Sequence, residues 1–574
     1  MASSSERDVE KGIPRSATIT SSDDEKGSVL QDSQEPYPTD ASECVTAEEI
    51  ESEHDTMPIE PVRSRASRVS RVSVKSRLSR VASLASTVLR RKKERLARAP
   101  LPVSDLDNGI VGWEGQDDPK MPLNFPKFRK WLIVSFLSLI TFVTPFASSI
   151  LAPGITTMSK EFGTSNLTYA SMPVSIFLLG YAVGPLFLAP LSELYGRHPV
   201  LSLSNAFFAV WQIGCALSPS LDSLIVFRFL SGIGGSACMT LGGGVVADLF
   251  PVDERGLALS VWTIGPLVGP CIGPLVGAWI AYTIGWRWVF WVSLIPAVIV
   301  TVVIGVFSTE TYHQVIISKK VRRLRKELGR EDLRSCYADP SKPPPPMKEV
   351  ILQGLCRPLK MLILNPLILL LSTYIAFAYA VLYLLFNTIP MVFEGQYGWS
   401  VGLTGLVYLP LGLGFCAGLA VFASLSDKTV VKMTRANDGV YEPEMRLPAC
   451  IFFACFLPIT FFVYGWSTYN KVHVAVPLIG LIPYGFGLVG IWQPIQAYII
   501  DSYPVYAASG MAAFTVLRSL VAAFLPLAGP KMYDTMGLGW GNSLLGFICI
   551  AMIPVPAFIY KFGGKLRKKW ALNL

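Results

Sequence analysis

The chain has 574 residues, of which 51% are hydrophobic and only 16% are charged. Soluble proteins carry about 25% charged residues, so this composition argues against an ordinary soluble enzyme or binding domain. Lys and Arg outnumber Asp and Glu by 50 to 41, and the charges are concentrated before residue 130 and in a few short loops. The rest of the chain is a series of long apolar runs, which predicts a membrane protein.

The segment before the first apolar run, residues 1–125, is predicted to be a disordered tail. It is rich in Ser, Arg, Asp and Glu and has few aromatic residues, so it lacks the apolar surface that a packed domain needs. Residues 63–80 alternate Arg, Ser and Val, and Arg80 precedes Ser83 at a spacing that suits a basophilic kinase. A solvated tail resting on anionic lipid is the alternative that we favour.

Apolar runs that are long enough to cross a membrane recur twelve times after this tail. A bilayer core about 30 Å thick needs roughly 20 apolar residues in a helix. The first six runs are residues 131–153, 170–191, 199–218, 221–249, 257–283 and 289–307. The second six runs are residues 362–392, 401–425, 447–466, 472–500, 505–530 and 538–560. We therefore expect an all-α polytopic membrane protein with twelve transmembrane helices in two pseudo-symmetric six-helix bundles, residues 126–310 and 362–562.

Basic residues predict the orientation of the chain in the membrane. They cluster at residues 90–93, between the halves at 319–326, and near the C-terminus at 565–569. With twelve spans all three clusters lie on one side, and an excess of Lys and Arg marks the cytoplasmic side. The alternate loops at 218–222 and 393–400 contain no Lys or Arg. Both termini are therefore expected in the cytoplasm, and the cytoplasmic regions would be the N-terminal tail, the inter-bundle loop 311–361 and the basic tail 563–574.

The two halves repeat each other, and internal repeats are the usual build of secondary transporters. The second span carries residues that recur in the eighth span at one constant offset. The matched positions are Gly180, Gly184, Ser192 and Glu193 against Gly414, Gly418, Ser426 and Asp427. The fourth and tenth spans end in Asp248 and Asp501, each followed by Pro three residues later. The repeat predicts two similar bundles that rock against each other around a site at the membrane midplane.

Charged residues at the inner ends of the spans are candidates for gating. Glu193 and Arg197 lie in the short turn after the second span, and they can pair with Asp248 or Arg255 at the ends of the fourth and fifth spans. Such pairs would hold the cytoplasmic side shut and would break when it opens. The alternative is an ordinary interfacial turn with snorkelling charges. The related acids of the second half are Asp427 and Asp501.

Two further motifs lie inside spans of the first half. Arg228 stands among apolar residues in the fourth span, where an arginine costs several kcal/mol unless it faces a partner or a wet cavity; snorkelling is the alternative. The fifth span has a glycine at every fourth residue, which forms a flat stripe for close helix contact, and prolines that favour bends. The positions of this motif are Gly265, Pro266, Gly269, Pro270, Gly273 and Pro274.

These motifs resemble those of the major facilitator superfamily. Residues 192–197 are similar to its loop signature, and Arg228 is similar to the fourth-helix arginine that the family links to proton coupling. The Gly-Pro repeat looks like the antiporter signature of the twelve-span drug:proton antiporters. Residues 286–291 and the Arg518-Ser519 pair look like the fungal branch that includes multidrug and polyamine exporters. The resemblance covers residues 110–570 and implies the major facilitator fold, proton coupling and export.

Polar and aromatic side chains in the second half are candidates for a substrate cavity. Hydrogen bonding between helices is the alternative role for each of them. The candidates on one face of the seventh span, spaced four residues apart, are Tyr379, Tyr383 and Asn387. The candidates in the tenth and eleventh spans are Trp492, Gln493, Gln496 and Arg518.

The deep charges bear on the substrate class. Arg228 and Arg518 are the only charged residues placed deep in the predicted spans, and the first span contains no acid. Exporters of cations generally need a buried carboxylate that exchanges substrate for a proton, so this sequence departs from the polyamine-exporter pattern. Two arginines favour neutral or anionic solutes. We therefore expect a weak acid or a neutral metabolite as substrate.

The main prediction is a secondary active transporter that exports small organic compounds, drugs or metabolites, by proton-coupled alternating access. A dedicated exporter of one organic acid or secondary metabolite is one alternative, and a non-transporting membrane sensor is another. The sequence has no phosphate-binding loop and no cluster with metal-ligand spacing, so we expect no ATP-driven pump, no enzyme, no metal and no cofactor.

The same prediction indicates the membrane in which the protein resides and its partners. We expect a plasma-membrane protein, with a vacuolar or other internal membrane as the alternative. The expected partners are a small-molecule substrate, protons and the lipid bilayer, without nucleic acid, and the chain is expected to be a monomer. Asn166 begins an Asn-Leu-Thr sequon in the first outer loop, which predicts glycosylation.

Overall fold

The computed structural model describes residues 101–338, 347–438, 440–503 and 507–570, and these are mainly helical. The helices of the first half are α1 Lys127–Ser149, α2 Ile155–Glu161, α3 Leu167–Tyr195, α4 Arg197–Ala216, α5 Leu221–Leu249, α6 Val252–Thr283 and α7 Trp288–Phe307. Two helices lie between the halves, α8 His313–Leu328 and α9 Met347–Leu364.

The second half begins with a helix that is long enough to cross the bilayer. Several of its later helical regions are divided into shorter helices. The long helices are α10 Pro366–Tyr397, α12 Tyr408–Ala436, α16 Ile482–Ser502, α17 Ala507–Phe524 and α18 Gly529–Met552. The shorter helices are α11 Val401–Thr404, α13 Leu447–Ala454, α14 Phe456–Tyr469, α15 Ala475–Gly480 and α19 Pro554–Lys569.

Eleven helical segments of the described chain are long and apolar enough to cross a membrane. The last of them, Ser509–Lys569, has 61 residues. At 1.5 Å per residue a straight helix of that length would be roughly 90 Å long, about three times the bilayer core. Gly537 interrupts it with φ 72° and ψ 170°, outside the helical region. Gly537 lies between the predicted eleventh span, residues 505–530, and the predicted twelfth, residues 538–560, and the count of twelve stays a prediction.

The glycines of the sequence repeat lie at close helix contacts in both bundles. In the first bundle α3 packs on α5, and a Cβ added at Gly180 would lie 2.5 Å from the Phe229 carbonyl oxygen. In the second bundle α12 packs on α16, and a Cβ at Gly414 would lie 2.2 Å from the Ile482 carbonyl oxygen. A side chain at either position would force the helices apart. The repeat in the sequence is therefore a repeat of close contacts between corresponding helices.

The two bundles meet along α3 and α17 and, at the end remote from the basic segments, along α6 and α11. There a Cβ at Gly405 would lie 3.0 Å from the Leu275 carbonyl oxygen, and Gly402 faces the Tyr282 ring. The two bundles are therefore in close contact at that end. We refer to it as the outer end, following the predicted orientation.

The described part of the predicted tail is folded, which corrects the expectation of disorder for residues 101–125. The strand β1 Ile110–Val111 pairs in parallel with β2 Arg334–Ser335. Trp113 is only 1% exposed, packs in a small core with Ile317 and Leu333, and its Nε1 donates to the Tyr337 hydroxyl at 3.0 Å. The apolar residues of this segment find their partners on α8 and the loop that follows it, far along the chain. Residues 1–100, the rest of the predicted tail, lie outside the described residues.

Candidate functional site

A cavity of ≈ 340 Å³ lies between the bundles at the inner end. It is lined by α3, the start of α4, α5 and α6 of the first bundle and by α16 and α17 of the second. Glu193 on its rim is exposed, so the cavity reaches the surface there. Since the bundles are in contact at the outer end, the cavity is accessible from the inner side. Its charged lining residues are Glu193, Arg197, Asp248 and Arg255.

The cavity continues towards the centre of the protein as a smaller hollow of ≈ 20 Å³. Trp262, Gln496 and Thr515 line both spaces, so the two are continuous. At the far side of the smaller hollow stand Trp492 and Arg518. Arg518 therefore lines the narrow continuation of the cavity towards the centre of the protein.

Arg518 is buried without an ion-pair partner among the described residues. Its side chain is 1% exposed, and its guanidinium carbon lies 4.4 Å from the ring centre of Tyr379 and 4.3 Å from that of Trp492. The Trp492 Nε1 donates to the Gln496 Oε1 at 3.0 Å, which fixes the indole plane. The Arg518 Nε and Nη1 have no hydrogen-bond partner. The charge is thus held between two aromatic faces with donors still free.

Arg228 is equally buried, at 0% exposure, but its donors are used. Its Nε donates to the Pro173 carbonyl at 2.9 Å, Nη1 to the Ala147 carbonyl at 2.9 Å and Nη2 to the Ser148 carbonyl at 2.8 Å. Ala147 and Ser148 belong to the last turn of α1, whose carbonyls have no partner within their helix. The guanidinium also lies 4.4 Å from the ring centre of Phe177. Arg228 therefore ties α1 and α3 to α5, away from the lining of both hollows.

A chain of hydroxyl groups runs from the Arg228 contacts to the Arg518 contacts. The Ser148 hydroxyl is 2.8 Å from the Tyr383 hydroxyl, which lies across the bundle interface. The Tyr379 hydroxyl donates to that of Tyr383 at 3.4 Å, and the Tyr379 ring supports Arg518. The chain was not predicted, because the sequence gives no sign that Ser148 approaches the seventh span.

At the inner end of the first bundle two of the predicted gating residues, Arg197 and Asp248, are joined in one network, whereas no ion pair of Glu193 is found among the described residues. The Arg197 Nε lies 3.6 Å from the Asp248 Oδ2, and its Nη1 donates to the Ser192 hydroxyl at 2.7 Å. The Glu310 Oε1 accepts backbone N–H bonds from Arg197 at 2.8 Å and from Tyr312 at 2.9 Å. Burial, and then the Glu193 carboxylate, raise the pKa of Tyr312 to about 12, so this ring stays neutral beneath the Arg197 guanidinium.

The second bundle has a corresponding ion pair, of which the sequence predicted the acid, Asp501, but not the base, Arg446. The Arg446 Nε lies 2.6 Å from the Asp501 Oδ2, and the Tyr441 hydroxyl donates to the same oxygen at 2.6 Å. Arg446 was missed, although it precedes the ninth span as Arg197 precedes most of the third. That relation was the signal available in the sequence. The side chain of Asp427, the remaining predicted gating acid, lies outside the described residues.

The Gly-Pro stripe of α6 faces α1. A Cβ at Gly269 would lie 2.7 Å from the Phe142 carbonyl oxygen, and one at Gly277 would lie 1.9 Å from that of Ile150. Pro274 has no N–H to donate to the Pro270 carbonyl four residues earlier. The Ser149 hydroxyl donates to that carbonyl instead, at 3.1 Å. The prolines therefore supply acceptors for the neighbouring helix, while the glycines let it come close.

The other predicted site residues are placed as follows. Asn387 is 1% exposed, and neither its Oδ1 nor its Nδ2 has a hydrogen-bond partner among the described residues. Gln493 is half-buried and lies outside the lining of the two hollows. Asn166 is exposed and caps α3 by accepting the N–H groups of Thr168 and Tyr169 through its Oδ1. Its amide nitrogen, which a glycan would modify, takes no part in these two bonds.

Comparison with known proteins gives one family. The model of the Major Facilitator Superfamily matches residues 137–526. The MFS transporter cpaT of Aspergillus oryzae is 44% identical over 457 residues, which are 80% of this chain and 91% of that protein. The efflux pump radE of Floropilus chiversii is 42% identical over 462 residues, which are 80% of this chain and 85% of that protein.

Solved structures agree with the fold. A partially occluded inward-open conformation of the xylose transporter XylE from E. coli gives a TM-score of 0.57 at 17% identity, covering 76% of this chain and 98% of that one. A bacterial homologue of the human lysosomal transporter Spinster, inward-facing and unoccupied, gives 0.53 at 14% identity and covers 78% and 100%. At these identities the likeness concerns the fold alone.

Proposed function

The chain belongs to the Major Facilitator Superfamily and is a multi-pass membrane transporter, and on that premise we propose that it exports small organic compounds by proton-coupled alternating access. The observation that carries the proposal is the cavity between the bundles, which is accessible at the inner end and ends at Arg518. A solute-sized space at the interface of two repeated bundles is where alternating access places its substrate. The substrates would be drugs or metabolites.

The direction of transport is supported by two findings of different kinds. One relative is named as an efflux pump. The Gly-Pro stripe of α6, which resembles the signature of drug:proton antiporters, lies in the close contact with α1 that faces the bundle interface. A helix with prolines in its interior lacks some of its own backbone hydrogen bonds, so it is suited to change shape against its neighbour as the bundles rock. Export from the cytoplasm therefore fits this chain better than uptake.

Each of the two ion pairs at the inner ends joins residues of one bundle, and both are intact although the cavity is accessible at that end, so they stabilise the separate bundles and do not close the inner side as the sequence suggests. Arg197 with Asp248 and Arg446 with Asp501 occupy related places in the two halves. Asp248 and Glu193 line the cavity and are the acids that a proton from the inner side could reach. We assign proton exchange to these two acids, because the described lining of the deep hollow contains no carboxylate.

The alternative within the same class is a dedicated exporter of one organic acid or secondary metabolite. The free donors of Arg518 favour it, since they would select among solutes by charge. We propose that the transporter acts as a monomer, because one chain contains both bundles and the cavity between them. We also propose that it resides in the plasma membrane. Glycosylation of Asn166 remains a proposal of the same kind, and an unchanged mass after deglycosidase treatment would contradict it.

The experiment compares small molecules inside and outside cells with and without the gene for this chain. We expect at least one organic compound to accumulate inside and to fall outside on deletion, with recovery on re-expression. Purified protein in proteoliposomes should then transport that compound faster when a proton gradient is imposed, and a protonophore should abolish the difference. If neither endogenous compounds nor added toxicants change with the gene, export is wrong and a sensor becomes the better hypothesis.

Asp248→Asn tests the proton assignment separately. The neutral side chain cannot release a proton, so we expect transport without acceleration by the gradient. Asp332→Asn is the matched control, because Asp332 is an exposed acid in the loop after α8 and has no contact with the cavity. Unchanged gradient dependence in Asp248→Asn would exclude Asp248, and the assignment would then rest on Glu193 alone.

A further inference from the structure

Arg518 carries a charge that its surroundings do not neutralise. A buried guanidinium with unused donors is costly, because the group has lost its water without gaining partners. Its Nε and Nη1 lack partners, and the two rings that hold it offset only part of this cost. Arg228 is buried as deeply and donates to three carbonyls, so burial in this membrane fold does not by itself prevent an arginine from finding partners.

The described surroundings of Arg518 hold no acid that could serve as its partner. The hollow that it lines is made of apolar, aromatic, amide and hydroxyl groups. The nearest acids of the cavity lining are Glu193 and Asp248 at the inner mouth, and Asp248 is already paired with Arg197. The free donors therefore point to a group that comes from outside the protein.

The shape of the hollow indicates what is attached to that group. Trp492 and Phe514 stand beside Arg518, and Trp262, Met239 and Met511 line the space on the way to the inner mouth. Aromatic and methionine side chains offer broad apolar contact, and methionine adapts to bodies of irregular shape. A ligand with one charged end at Arg518 and a larger apolar body in the ≈ 340 Å³ cavity would contact these residues.

We propose that the substrate is an organic anion, whose carboxylate or comparable delocalised oxyanion is bound by Arg518 between Tyr379 and Trp492 and whose apolar body extends towards Trp262. A guanidinium N–H that has no partner in the protein can donate a charge-assisted hydrogen bond to such an oxyanion, and Arg518 has free donors at Nε and Nη1. The proposal rests on the proposed export function and adds its substrate class. It also agrees with the direction of transport, because a cytoplasm that is negative inside drives anions outwards.

The test uses the purified full chain in nanodiscs and two probes of nearly identical shape, 1-naphthoate and the uncharged 1-naphthamide. Calorimetry at neutral pH measures both affinities. We expect the wild type to bind naphthoate about 10- to 100-fold more tightly than the amide, which is the usual range for a charge-assisted pair. This comparison needs no variant, so it remains informative even if substitutions impair folding. If the wild type binds both probes alike, or binds neither, the proposal is wrong.

Three variants locate the preference. Arg518→Gln should bind both probes with equal, weak affinity, and Arg518→Lys should keep a reduced preference, because it has the charge without the planar fork. Arg435→Gln, on the exposed inner end of α12, is the control that removes a charge elsewhere and should behave as wild type. A preference that survives in Arg518→Gln would place the anion site elsewhere and overturn the assignment.

Failure of this inference can be told apart from failure of the proposed function. The metabolite comparison tests export without reference to charge. If the compounds that depend on the gene are neutral or cationic, export stands and the anion site is wrong. If no compound depends on the gene but the nanodiscs prefer naphthoate through Arg518, the anion site stands and the export function fails.

Discussion

Two arginines, one in each bundle, are alike in the sequence and different in the fold. Arg228 and Arg518 are both almost completely buried and both lie in apolar spans. Arg228 donates to three backbone carbonyls of two neighbouring helices. Arg518 lies between the rings of Tyr379 and Trp492 with its Nε and Nη1 unused. A buried charge can therefore serve to hold helices together or remain available to a ligand, and only its partners distinguish the two roles.

The difference also revises how the first bundle was interpreted. The sequence placed both arginines near a wet cavity, and the family resemblance linked Arg228 to proton coupling. The partners of Arg228 are carbonyls at the end of α1 and at Pro173 in α3, and no carboxylate is among its described partners. A role of Arg228 in coupling would therefore have to act through the position of these helices.

The largest expected effect is on stability. Arg228→Met leaves three buried carbonyls without donors, and we expect a loss of about 3–5 kcal/mol in the free energy of unfolding, the range for breaking a buried charged contact. Arg518→Met removes an unpaired charge and should be neutral or stabilising. Thermal and denaturant unfolding of both variants in the same detergent measures the difference. Equal losses would mean that Arg518 has structural partners after all.

This contrast marks the limit of what the sequence could predict. The spans, the repeat and the glycine stripe follow from the length, hydropathy and spacing of neighbouring residues, which is local information. The partners of Arg228 are backbone carbonyls about eighty residues away, at Ala147 and Ser148, and carbonyls have no signature in a sequence. The same reason explains why Arg446 was missed, as its role depends on how α13 meets the end of α16.

The folded segment before α1 is a second case in which the sequence does not reveal contacts between distant residues. Its composition indicated disorder, yet Val111 and Trp113 are buried against Ile317 and Leu333. A few apolar residues in a polar segment become a core when a second segment, distant in sequence, supplies the rest of it. Residue composition alone could not identify that second segment.

The second largest expected effect comes from substituting the aromatic rings that contact the two arginines. Trp492→Leu removes one face of the Arg518 sandwich, and we expect naphthoate affinity to fall about 5- to 30-fold, in line with a desolvated cation–π contact. Phe177→Leu removes the ring beside Arg228 and should cost about 1 kcal/mol or more of stability through lost packing, without changing affinity. Calorimetry and thermal unfolding are measured on both variants. A loss of affinity in Phe177→Leu would show that the Arg228 site also contacts the ligand.

The smallest effect concerns the hydroxyl chain that joins the two sites. Tyr383→Phe removes the hydroxyl that lies 2.8 Å from Ser148 and 3.4 Å from the Tyr379 hydroxyl, and one neutral hydrogen bond contributes about 1 kcal/mol. Tyr408→Phe is the matched control, because its buried hydroxyl donates to the Phe386 carbonyl at 3.0 Å, outside the chain. Both variants should lose similar stability, but only Tyr383→Phe should change naphthoate affinity, by about two- to fivefold. If both variants leave the naphthoate affinity unchanged, the hydroxyl chain does not couple the two arginines, and each of them acts as a separate site.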